Sequence, residues 1–398
     1  MDSDAMSARV AWLIPSAGYG GDPLYWTGLW REVSRRFGET RIFCPDVGTS
    51  GEIEGVQVDR LPCARLRISG RQQHDYVRWL NIIDPRAIFK VFRFRPQVII
   101  VVEFGLLSMY GILVARSLGG CGVLLLVEAD PKMTVGVGGR VRAWLRRRIC
   151  RACDLSLVNN PAGRRYLVEV LGMRAERVKE GAWLTSEPPV CQDEGKAPSL
   201  AIGEDPSRLD FVCVGQLIER KGLRYLLAAI AALSGEDRQR ARFWIIGDGP
   251  DGPKLHGMAA ELGIGGIVRF AGKVPYGQLG GVYRRAGAFV LPTLHDYRAL
   301  VGFEALAHGL PLLVSRHDGA AEEIVEDGQN GFRFEPRDTA EFSRLLAWMI
   351  NNRSALRAFS ARSRELSARF TLAAATDTLT DAVRECWALR AHPVAGVA

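Results

Sequence analysis

Short apolar runs alternate with amphipathic helical segments along almost the whole chain. The first half contains, among other runs, "ARVAWLIP", then the helical "DPLYWTGLWREVSRRF", then "PQVIIVV" and "GVLLLVEA". The second half repeats this order with "LDFVCVG", "LRYLLAAIAAL" and "RFWIIGDG". Strands that are separated by helices pair in parallel, and the helices cover both faces of the sheet. The alternation therefore predicts an α/β protein with a doubly wound, Rossmann-like sheet in each half.

Length and one proline-rich stretch divide the chain into domains. Its 398 residues exceed what one ordinary hydrophobic core contains, so two domains are expected. Residues 185–208 contain four prolines and show no sustained periodicity, which is typical of a linker. We expect domains at 1–184 and 209–372 that face each other across a cleft. A C-terminal helix at 373–398 is expected to pack back on the first domain.

Composition limits the class of protein and of partner. Apolar residues make up 47% of the chain and charged residues 24%, which indicates a globular protein, and the net charge of +8 suits anionic partners. Asp2 and Asp4 stand where a secretory signal would be positive, and no apolar run reaches about 18 residues, so we expect a cytoplasmic protein without a membrane span. Cys150 and Cys153 form a C-x-x-C without a second pair at zinc spacing, which favours structural thiols over a metal site.

Glycine-rich turns follow several of the predicted strands. After the first strand the chain continues "PSAGYGGDP", where Gly20 and Gly21 allow backbone amides to approach a phosphate or a sugar closely. Pro23 stands where a dinucleotide-binding fingerprint needs its third glycine, which argues against NAD. A plain turn remains an alternative for this loop. The turns "IIGDGP" and "FAGKVP" in the second half belong to the same edge of their sheet.

Two adjacent cations precede the first helix of the second half. The stretch "VCVGQLIERKGLRYLLAAI" places Arg220 and Lys221 directly before an apolar helix. Positive charge is unfavourable at a helix N-terminus, so an anion is expected nearby. A diphosphate would offset both cations through charge-assisted hydrogen bonds. The alternative is a solvated loop with two surface charges.

Two acids enclose an apolar segment further along the second half. The stretch "HDYRALVGFEALAHGLPLLVS" puts Asp296 in a strand-to-helix loop and Glu304 in the early turns of the following helix. Ligands of open parallel sheets bind beyond the carboxyl ends of the strands, which is where both acids would lie. We interpret them as two parts of one pocket. The alternative is a helix-capping Asp and a solvated Glu.

Taken in this order, the second-half motifs resemble a known family. "GQLIERKG", "IGDGP", "FAGKVP", the acidic segment and "HGLPLLVSRHDGAAEEIVEDGQNGF" look like the retaining family-4 glycosyltransferases, the glycosyl transferases group 1. The resemblance implies a GT-B fold and transfer of a sugar from a nucleoside-diphosphate sugar, with uridine favoured, to a hydroxyl group. The acceptor would be a saccharide or a glycolipid of a glycoconjugate or polysaccharide pathway. Neither a metal nor a cofactor is implied.

The resemblance also implies roles for individual residues. Glu304 would hold the ribose, and Asp296 would face the donor sugar where the family has a longer Glu. Lys221 matches the phosphate-binding Lys, and Arg220 would supply the second cation because Gln216 stands at the usual Arg position. Amides of the helix start would meet the diphosphate at Ala299, Leu300 and Val301. The other residues expected at the donor are Gly20, Gly21, Gly215, Gln216, Gly247 and Val274.

The acceptor side is less well defined by the sequence. Many family members have a His near the transferred sugar, but the first half contains only His74, far from any predicted strand end. Three acids at predicted strand ends are the candidates instead: Glu103, Glu128 and Asp130.

A basic helix in the first half has two interpretations. In "GRVRAWLRRRICRACD" the apolar side chains share one face. We favour a helix that packs this face on the sheet. The alternative is a peripheral helix on an anionic membrane, which would suit a lipid-linked acceptor. The apolar residues in question are Val141, Trp144, Leu145, Ile149 and Ala152.

Two other functions remain as alternatives. A nucleotide-sugar epimerase can have the same fold, but a transferase would release free UDP only when an acceptor is supplied. A nucleic-acid-binding protein would suit the net charge, yet the chain lacks a basic stripe interleaved with aromatic residues. We therefore expect no nucleic-acid partner.

Overall fold

The computed structural model describes residues 7–15, 24–46, 56–69, 78–128, 139–183 and 200–391. The chain forms two compact units, one made of Met1–Ser186 with Thr371–Ala398 and the other of Glu187–Phe370. Residues 200–208, which the sequence assigned to the linker, belong to the second unit. There Ile202 is buried in the core, and the backbone N–H of Gly203 donates to Asp210.

A parallel sheet of seven described strands forms the first unit, in the order β3-β2-β1-β6-β7-β8-β9. The first unit also contains a separate antiparallel hairpin of β4 and β5. β6 and β7 are buried along their whole length because helices cover both faces of the sheet, so their sequences are continuously apolar. The strands are β1 (Arg9–Leu13), β2 (Glu39–Pro45), β3 (Gln57–Leu61), β4 (Cys63–Ser69), β5 (Arg78–Ile83), β6 (Val98–Val102), β7 (Gly122–Val127), β8 (Leu155–Val158) and β9 (Val178–Glu180).

Helices of the first unit divide between the two faces of its sheet. One layer contains three helices that pack side by side over a core that includes Val91, Ile112 and Ile149. These are α2, α3 and α4. The helices in chain order are α1 (Leu24–Ser34), α2 (Ile88–Phe94), α3 (Leu106–Leu118), α4 (Gly139–Ala152) and α5 (Pro161–Arg165).

The basic helix α4 is oriented differently from the favoured interpretation. Val141 is 69% exposed, Trp144 is 53% exposed and Leu145 is also exposed, so the expectation that these side chains pack on the sheet was wrong. Arg146 is buried instead, with Nη1 at 2.5 Å from the Tyr166 hydroxyl and its guanidinium over the Phe104 ring. A hydrogen bond and aromatic rings offset the desolvation of this cation.

The two cysteines of the C-x-x-C lie at the end of α4. Both are buried, and Ile149 and Cys150 face the core there. Burial raises the pKa of the Cys150 thiol to about 12. Such a thiol stays protonated, which is the behaviour of a structural cysteine.

A second parallel sheet, of six described strands, forms the second unit in the order β12-β11-β10-β13-β14-β15. Its strands are β10 (Leu209–Val214), β11 (Ala241–Ile246), β12 (Val268–Gly272), β13 (Ala288–Leu291), β14 (Leu312–Ser315) and β15 (Gly331–Phe334). Its helices are α6 (Leu223–Ala231), α7 (Gly235–Gln239), α8 (Gly252–Glu261), α9 (Tyr276–Arg285), α10 (Leu300–Ala307), α11 (Ala321–Ile324), α12 (Thr339–Asn351) and α13 (Arg353–Ser367). A separate apolar core lies on each face of the sheet. Two doubly wound α/β domains are therefore confirmed.

The last helix, α14 (Leu372–Ala391), belongs to the first unit. It packs with α1 on the face of the first sheet opposite to α2–α4, where Leu379 and Val383 share a core with Trp12 and Trp30. Arg390 adds an ion pair, with Nε 2.8 Å from the Asp154 carboxylate. Among the described residues, no helix is both long and apolar enough to cross a lipid bilayer.

One buried carboxylate joins three segments at the base of the second sheet. Asp210 on β10 accepts hydrogen bonds from Arg242 Nε at 2.8 Å, from Trp244 Nε1 at 2.8 Å and from the Gly203 backbone N–H at 2.6 Å. Because Asp210 is buried, these donors take the place of the water that its charge would otherwise need.

We predict that Asp210→Asn destabilises the second domain by about 3 kcal/mol, because it removes the carboxylate that pairs directly with the largely buried Arg242. Urea unfolding measures the change. Glu236→Gln is the matched control, since Glu236 pairs with Arg240 on the surface and such pairs contribute at most about 0.5 kcal/mol. Equal stability of the two variants would contradict the role given to Asp210.

Candidate functional site

Five loops of the second unit begin at the carboxyl ends of its parallel strands. They follow β10, β11, β12, β13 and β14, so they lie along one edge of the sheet. The first two approach each other very closely. A Cβ on Gly247 would lie 1.9 Å from the Gly215 carbonyl oxygen, and the φ of 137° also requires glycine.

Two cations meet one carboxylate oxygen at this edge. Lys221 Nζ lies 2.5 Å and Arg220 Nη1 lies 2.8 Å from Asp296 Oδ2, and all three side chains are largely buried. Burial by itself raises the pKa of Asp296, but the charges and hydrogen bonds of Lys221 and Arg220 outweigh it and hold the pKa below its ordinary value. Asp296 is therefore ionised, and one carboxylate with two cations gives the cluster a net charge of one positive unit.

A left-handed glycine brings the loops of this cluster together. Arg220 and Lys221 end a short 3-10 turn, and Gly222 follows with a φ of 66°. A Cβ on Gly222 would lie 2.0 Å from the Pro292 carbonyl oxygen. Arg220 also donates from Nη1 to the His295 carbonyl at 2.8 Å. The cations are thus fixed to the loop that carries the acid.

A third acid, Asp318, adjoins the cluster and was missed by the sequence interpretation. Its loop clamps Asp296 on both sides, since the Asp296 N–H donates to the His317 carbonyl at 3.2 Å and the Gly319 N–H donates to the Asp296 carbonyl at 3.1 Å. Asp318 Oδ1 accepts from the Ala320 N–H at 2.7 Å. Its buried Oδ2 has no hydrogen-bond partner among the described residues. Burial, followed by the charge of Asp296, raises the pKa of Asp318 to about 7.

The start of α10 differs in one respect from the prediction. The Ala299 N–H, expected to meet a diphosphate, donates to Asp318 Oδ1 at 3.3 Å. The N–H groups of Leu300 and Val301 lie in the first turn of the helix, where the helix offers them no carbonyl partner. Two of the three predicted amides therefore remain suited to an anion.

Glu304 lies in the second turn of α10 and is buried. Its Oε2 accepts a hydrogen bond from the Tyr283 hydroxyl at 2.8 Å. Burial raises the pKa of Glu304, while hydrogen bonds from Tyr283 and Tyr276 act in the opposite direction. The alternative of a helix-capping Asp and a solvated Glu is wrong, because both acids are buried and Asp296 precedes the N-cap residue Ala299.

A buried ion pair supports the loop that carries Asp296. Arg298 Nη2 lies 3.0 Å from Glu323 Oε2, and the Arg298 guanidinium stacks 3.8 Å from the centre of the Phe303 ring. The pair links the loop before α10 to α11. Like Asp318, Glu323 belongs to "HDGAAEEIV" and was missed, because no local pattern marks either residue as buried.

The remaining predicted donor residues lie along the same edge. Gly215 follows β10 directly, and the exposed Gln216 comes after it. Gly247 follows β11, and Val274 is partly buried in the loop before α9. Gly20 and Gly21 lie outside the described residues.

In the first unit, two of the predicted acids meet at the ends of neighbouring strands. The Glu128 N–H donates to Glu103 Oε1 at 2.7 Å, at the carboxyl ends of β7 and β6. Glu103 has a φ of 60°, which is uncommon for a residue with a side chain and is found at functional sites. Asp130 lies outside the described residues. Among the residues that are described, no three His, Cys, Asp or Glu side chains are grouped as metal ligands would be.

The edge of the second sheet has the chemistry of an anion site. Two fixed cations, a helix start and close backbone turns occur together, and the nearby carboxylates offer acceptors for hydroxyl groups. A phosphorylated polyol such as a nucleotide sugar combines both kinds of group.

Comparison with known proteins gives a match in each half of the chain. Residues 200–366 match the family described as "Glycosyl transferases group 1", and residues 20–179 match the "Glycosyl transferase 4-like domain". Together the two matches span most of both domains.

Similar proteins include two curated relatives. The lipopolysaccharide core biosynthesis glycosyltransferase LpsE of Rhizobium meliloti is 28% identical over 215 residues, which cover 51% of this chain and 59% of LpsE. D-inositol 3-phosphate glycosyltransferase 2 of Catenulispora acidiphila is 27% identical over 283 residues, covering 67% and 64%. The matched part of the chain spans less than two thirds of the length of either relative.

Among solved structures, Anabaena HepE in complex with UDP superposes with a TM-score of 0.71 at 14% identity, covering 95% of this chain and 100% of HepE. The lipopolysaccharide outer core galactosyltransferase WaaB gives 0.69 at 14% identity, covering 95% and 99%. At such low identity these superpositions show the fold alone. Together with the two family matches they lead to one assignment. The chain belongs to the group 1 glycosyltransferases and has their GT-B fold.

Proposed function

We propose that this protein is a retaining, metal-independent hexosyltransferase that moves a sugar from a nucleoside-diphosphate sugar to a hydroxyl group. The observation that carries the proposal is the pair of cations, Arg220 and Lys221, fixed on one buried carboxylate beside a helix start. UDP is the preferred nucleotide, which agrees with the UDP complex of the structural neighbour HepE. The nucleotide sugar is a substrate, so no cofactor is invoked.

The leaving group of this reaction determines what the cations do. As the glycosidic bond of the donor breaks, negative charge develops on the β-phosphate. Arg220, Lys221 and the N–H groups of Leu300 and Val301 stabilise that charge better in the transition state than in the ground state. Because two side-chain cations take this role, a divalent metal is unnecessary. The configuration at the anomeric carbon is retained because the nucleoside diphosphate leaves from, and the acceptor hydroxyl attacks, the same face of the sugar, as the family resemblance implies.

Asp296 and Glu304 act on different parts of the donor. Asp296 orients the sugar and opposes the positive charge that develops at the anomeric carbon, while its salt bridges keep the two cations in place. Glu304 accepts hydrogen bonds from the ribose hydroxyls, and Tyr283 fixes the orientation of its carboxylate. The family has Glu at the position of Asp296, so this chain reaches the sugar with a side chain one methylene shorter.

The acceptor is a saccharide or a lipid-linked sugar of a surface-polysaccharide or glycoconjugate pathway, in line with the lipopolysaccharide role in the name of LpsE. We assign the acceptor side to the first domain, where Glu103, Glu128 and Asp130 are the candidates for the carboxylate base that receives the hydroxyl proton. The protein would work in the cytoplasm, with a peripheral contact to an anionic membrane. An epimerase with the same fold would release UDP without any acceptor.

For the cations, we predict that Lys221→Ala and Arg220→Ala each weaken UDP binding roughly thirtyfold, since a hydrogen bond to a charged group contributes about 2 kcal/mol. Either change also lowers the net charge of the cluster from one to zero. Uridine, which has no phosphate, should bind almost unchanged. Titration calorimetry measures both, with Lys254→Ala, an exposed cation of the same domain, as the control. Full UDP affinity in both variants would overturn the assignment.

For the acids, we predict that Asp296→Asn lowers kcat by roughly a hundredfold but leaves UDP affinity equal or higher, because the two cations are released from their counter-charge. Asp296→Glu should retain activity. Glu304→Gln should chiefly raise the donor KM, about tenfold, because ribose contacts are similar in the ground and transition states. Sugar transfer by Asp296→Asn at the wild-type rate would rule out its catalytic role.

The carboxyl group of Asp318 makes donor binding sensitive to pH. Below a pH of about 7 its carboxyl is protonated, and above it the site gains a negative charge beside Asp296 and Lys221. We predict that affinity for a UDP-sugar, whose diphosphate does not titrate near neutrality, falls roughly tenfold as pH rises from about 6 to about 8. Asp318→Asn keeps the acceptor for the Ala299 and Ala320 amides and should flatten this profile. The same slope in both proteins would contradict the prediction.

A further inference from the structure

The outer face of one helix layer in the first unit is unusually apolar. α3 has apolar residues all round, and although its inner side is buried, Leu106, Met109 and Leu113 form an exposed stripe at helical spacing. A helix that is apolar on all sides is normally buried in protein or lipid.

Both neighbours of α3 carry an exposed apolar stripe as well. On α2 the stripe is Phe89, which is 63% exposed, and Phe92, three residues on. On α4 it includes Val141 and Trp144. α2 and α4 each pack against α3, so the three stripes lie on one outer layer. We call this the apolar face: Phe89, Phe92, Leu106, Met109, Leu113, Val141, Trp144 and Leu145.

The three helices that carry the apolar face are also strongly basic. The three helices contain nine Lys and Arg residues and no Asp or Glu. Arg146 is the one that is buried, and Arg148 extends over the exposed Trp144 ring at 5.1 Å. Lys90 and Arg93 flank the stripe of α2, and Arg116 is exposed near the end of α3. Exposed apolar residues combined with charge of one sign distinguish this layer from an ordinary solvated surface.

The charge and the apolar residues together decide between partners. A second copy of the chain, placed on the same face by two-fold symmetry, would bring two positive surfaces together. A nucleic acid would match the charge but not eight exposed apolar side chains, because such interfaces are polar. An anionic lipid surface satisfies both, since basic side chains pair with head groups while aromatic and aliphatic side chains enter the acyl boundary.

We infer that α2, α3 and α4 together form the membrane-docking surface of this protein and that its partner is an anionic lipid bilayer. This docking surface rests on the membrane contact in the proposed function and does not depend on the proposed donor chemistry. Each helix lies in the plane of the interface with its stripe below the head groups. The three helices therefore act as one platform, and the basic helix α4 is one of its three parts.

Vesicle flotation without any donor tests the inference. The full chain should float with vesicles of phosphatidylcholine mixed with phosphatidylglycerol, and much less with phosphatidylcholine alone. Phe89→Ser combined with Leu113→Ser and Trp144→Ser, one change in each helix, should lower the partition coefficient at least tenfold. Arg93→Gln with Arg116→Gln and Arg151→Gln should lower it on the order of a hundredfold, an effect that decreases with salt.

Controls separate this surface from other effects. Leu389→Ser changes an exposed apolar residue on the opposite helix layer, and Lys254→Gln with Arg344→Gln and Arg357→Gln removes three exposed cations from the second domain. Both controls should float like the wild type. The far-UV circular dichroism and thermal unfolding curve of each variant should match those of the wild type, which shows that the first unit still folds. UDP binding by calorimetry should also be unchanged, which separates failure here from failure of the proposed donor chemistry.

Three results would overturn the inference. The first is a wild-type chain that does not float with anionic vesicles, or that floats equally after the apolar substitutions. The second is a dimer, seen by sedimentation equilibrium, that the apolar substitutions dissociate while lipid binding is absent. The third is salt-sensitive binding to duplex DNA without binding to vesicles.

Discussion

Two cations that share one buried carboxylate oxygen determine the geometry of the candidate site. Lys221 and Arg220 lie on the loop after β10, and Asp296 lies on the loop after β13, so the salt bridges hold together two segments 75 positions apart. The neighbouring strands bring the loops close, and Gly222 permits the final contact. The start of α10 is attached to this cluster as well: the neighbours of Asp318 clamp the backbone of Asp296, and the Asp318 carboxyl accepts a hydrogen bond from the Ala299 N–H. A diphosphate would enter a site whose positive charges are already fixed, so little conformational entropy would be lost there on binding.

The sequence was sufficient for the fold class because the period of its apolar residues reports directly on strands and helices. The alternation of "LDFVCVG" with "LRYLLAAIAAL" predicts β10 and α6, and the structure contains both. The positions of Arg220, Lys221, Asp296 and Glu304 at one sheet edge follow from the same logic, since the carboxyl ends of parallel strands converge. What the sequence could not supply was the contact between loops. Nothing in "SRHDGAAEE" distinguishes Asp318 from a surface turn, because its burial arises only when the loops after β13 and β14 pack together.

The orientation of α4 was mispredicted for a related reason. Helical periodicity identifies the stripes of a helix, but it does not decide which stripe faces inward. In α4 the inward position belongs to Arg146 because Tyr166 and Phe104 provide a hydroxyl group and an aromatic ring for its guanidinium. These partners come from segments 20 and 42 positions away, beyond the reach of any local pattern. The same limit applies to α3, which buries Leu107 and Ile112 but leaves Leu106, Met109 and Leu113 exposed.

The return of α14 to the first unit has a consequence for biosynthesis. The core that Trp12 and Trp30 share with Leu379 and Val383 joins the two ends of the chain, with the whole second unit between them. On the ribosome, Glu187–Phe370 can complete its sheet while this face of the first sheet still lacks α14. The first unit therefore begins to be synthesised before the second unit but is completed after it. Its apolar surface stays open while the second unit is being synthesised. A chaperone that covers the unfinished face would protect the nascent chain until α14 arrives.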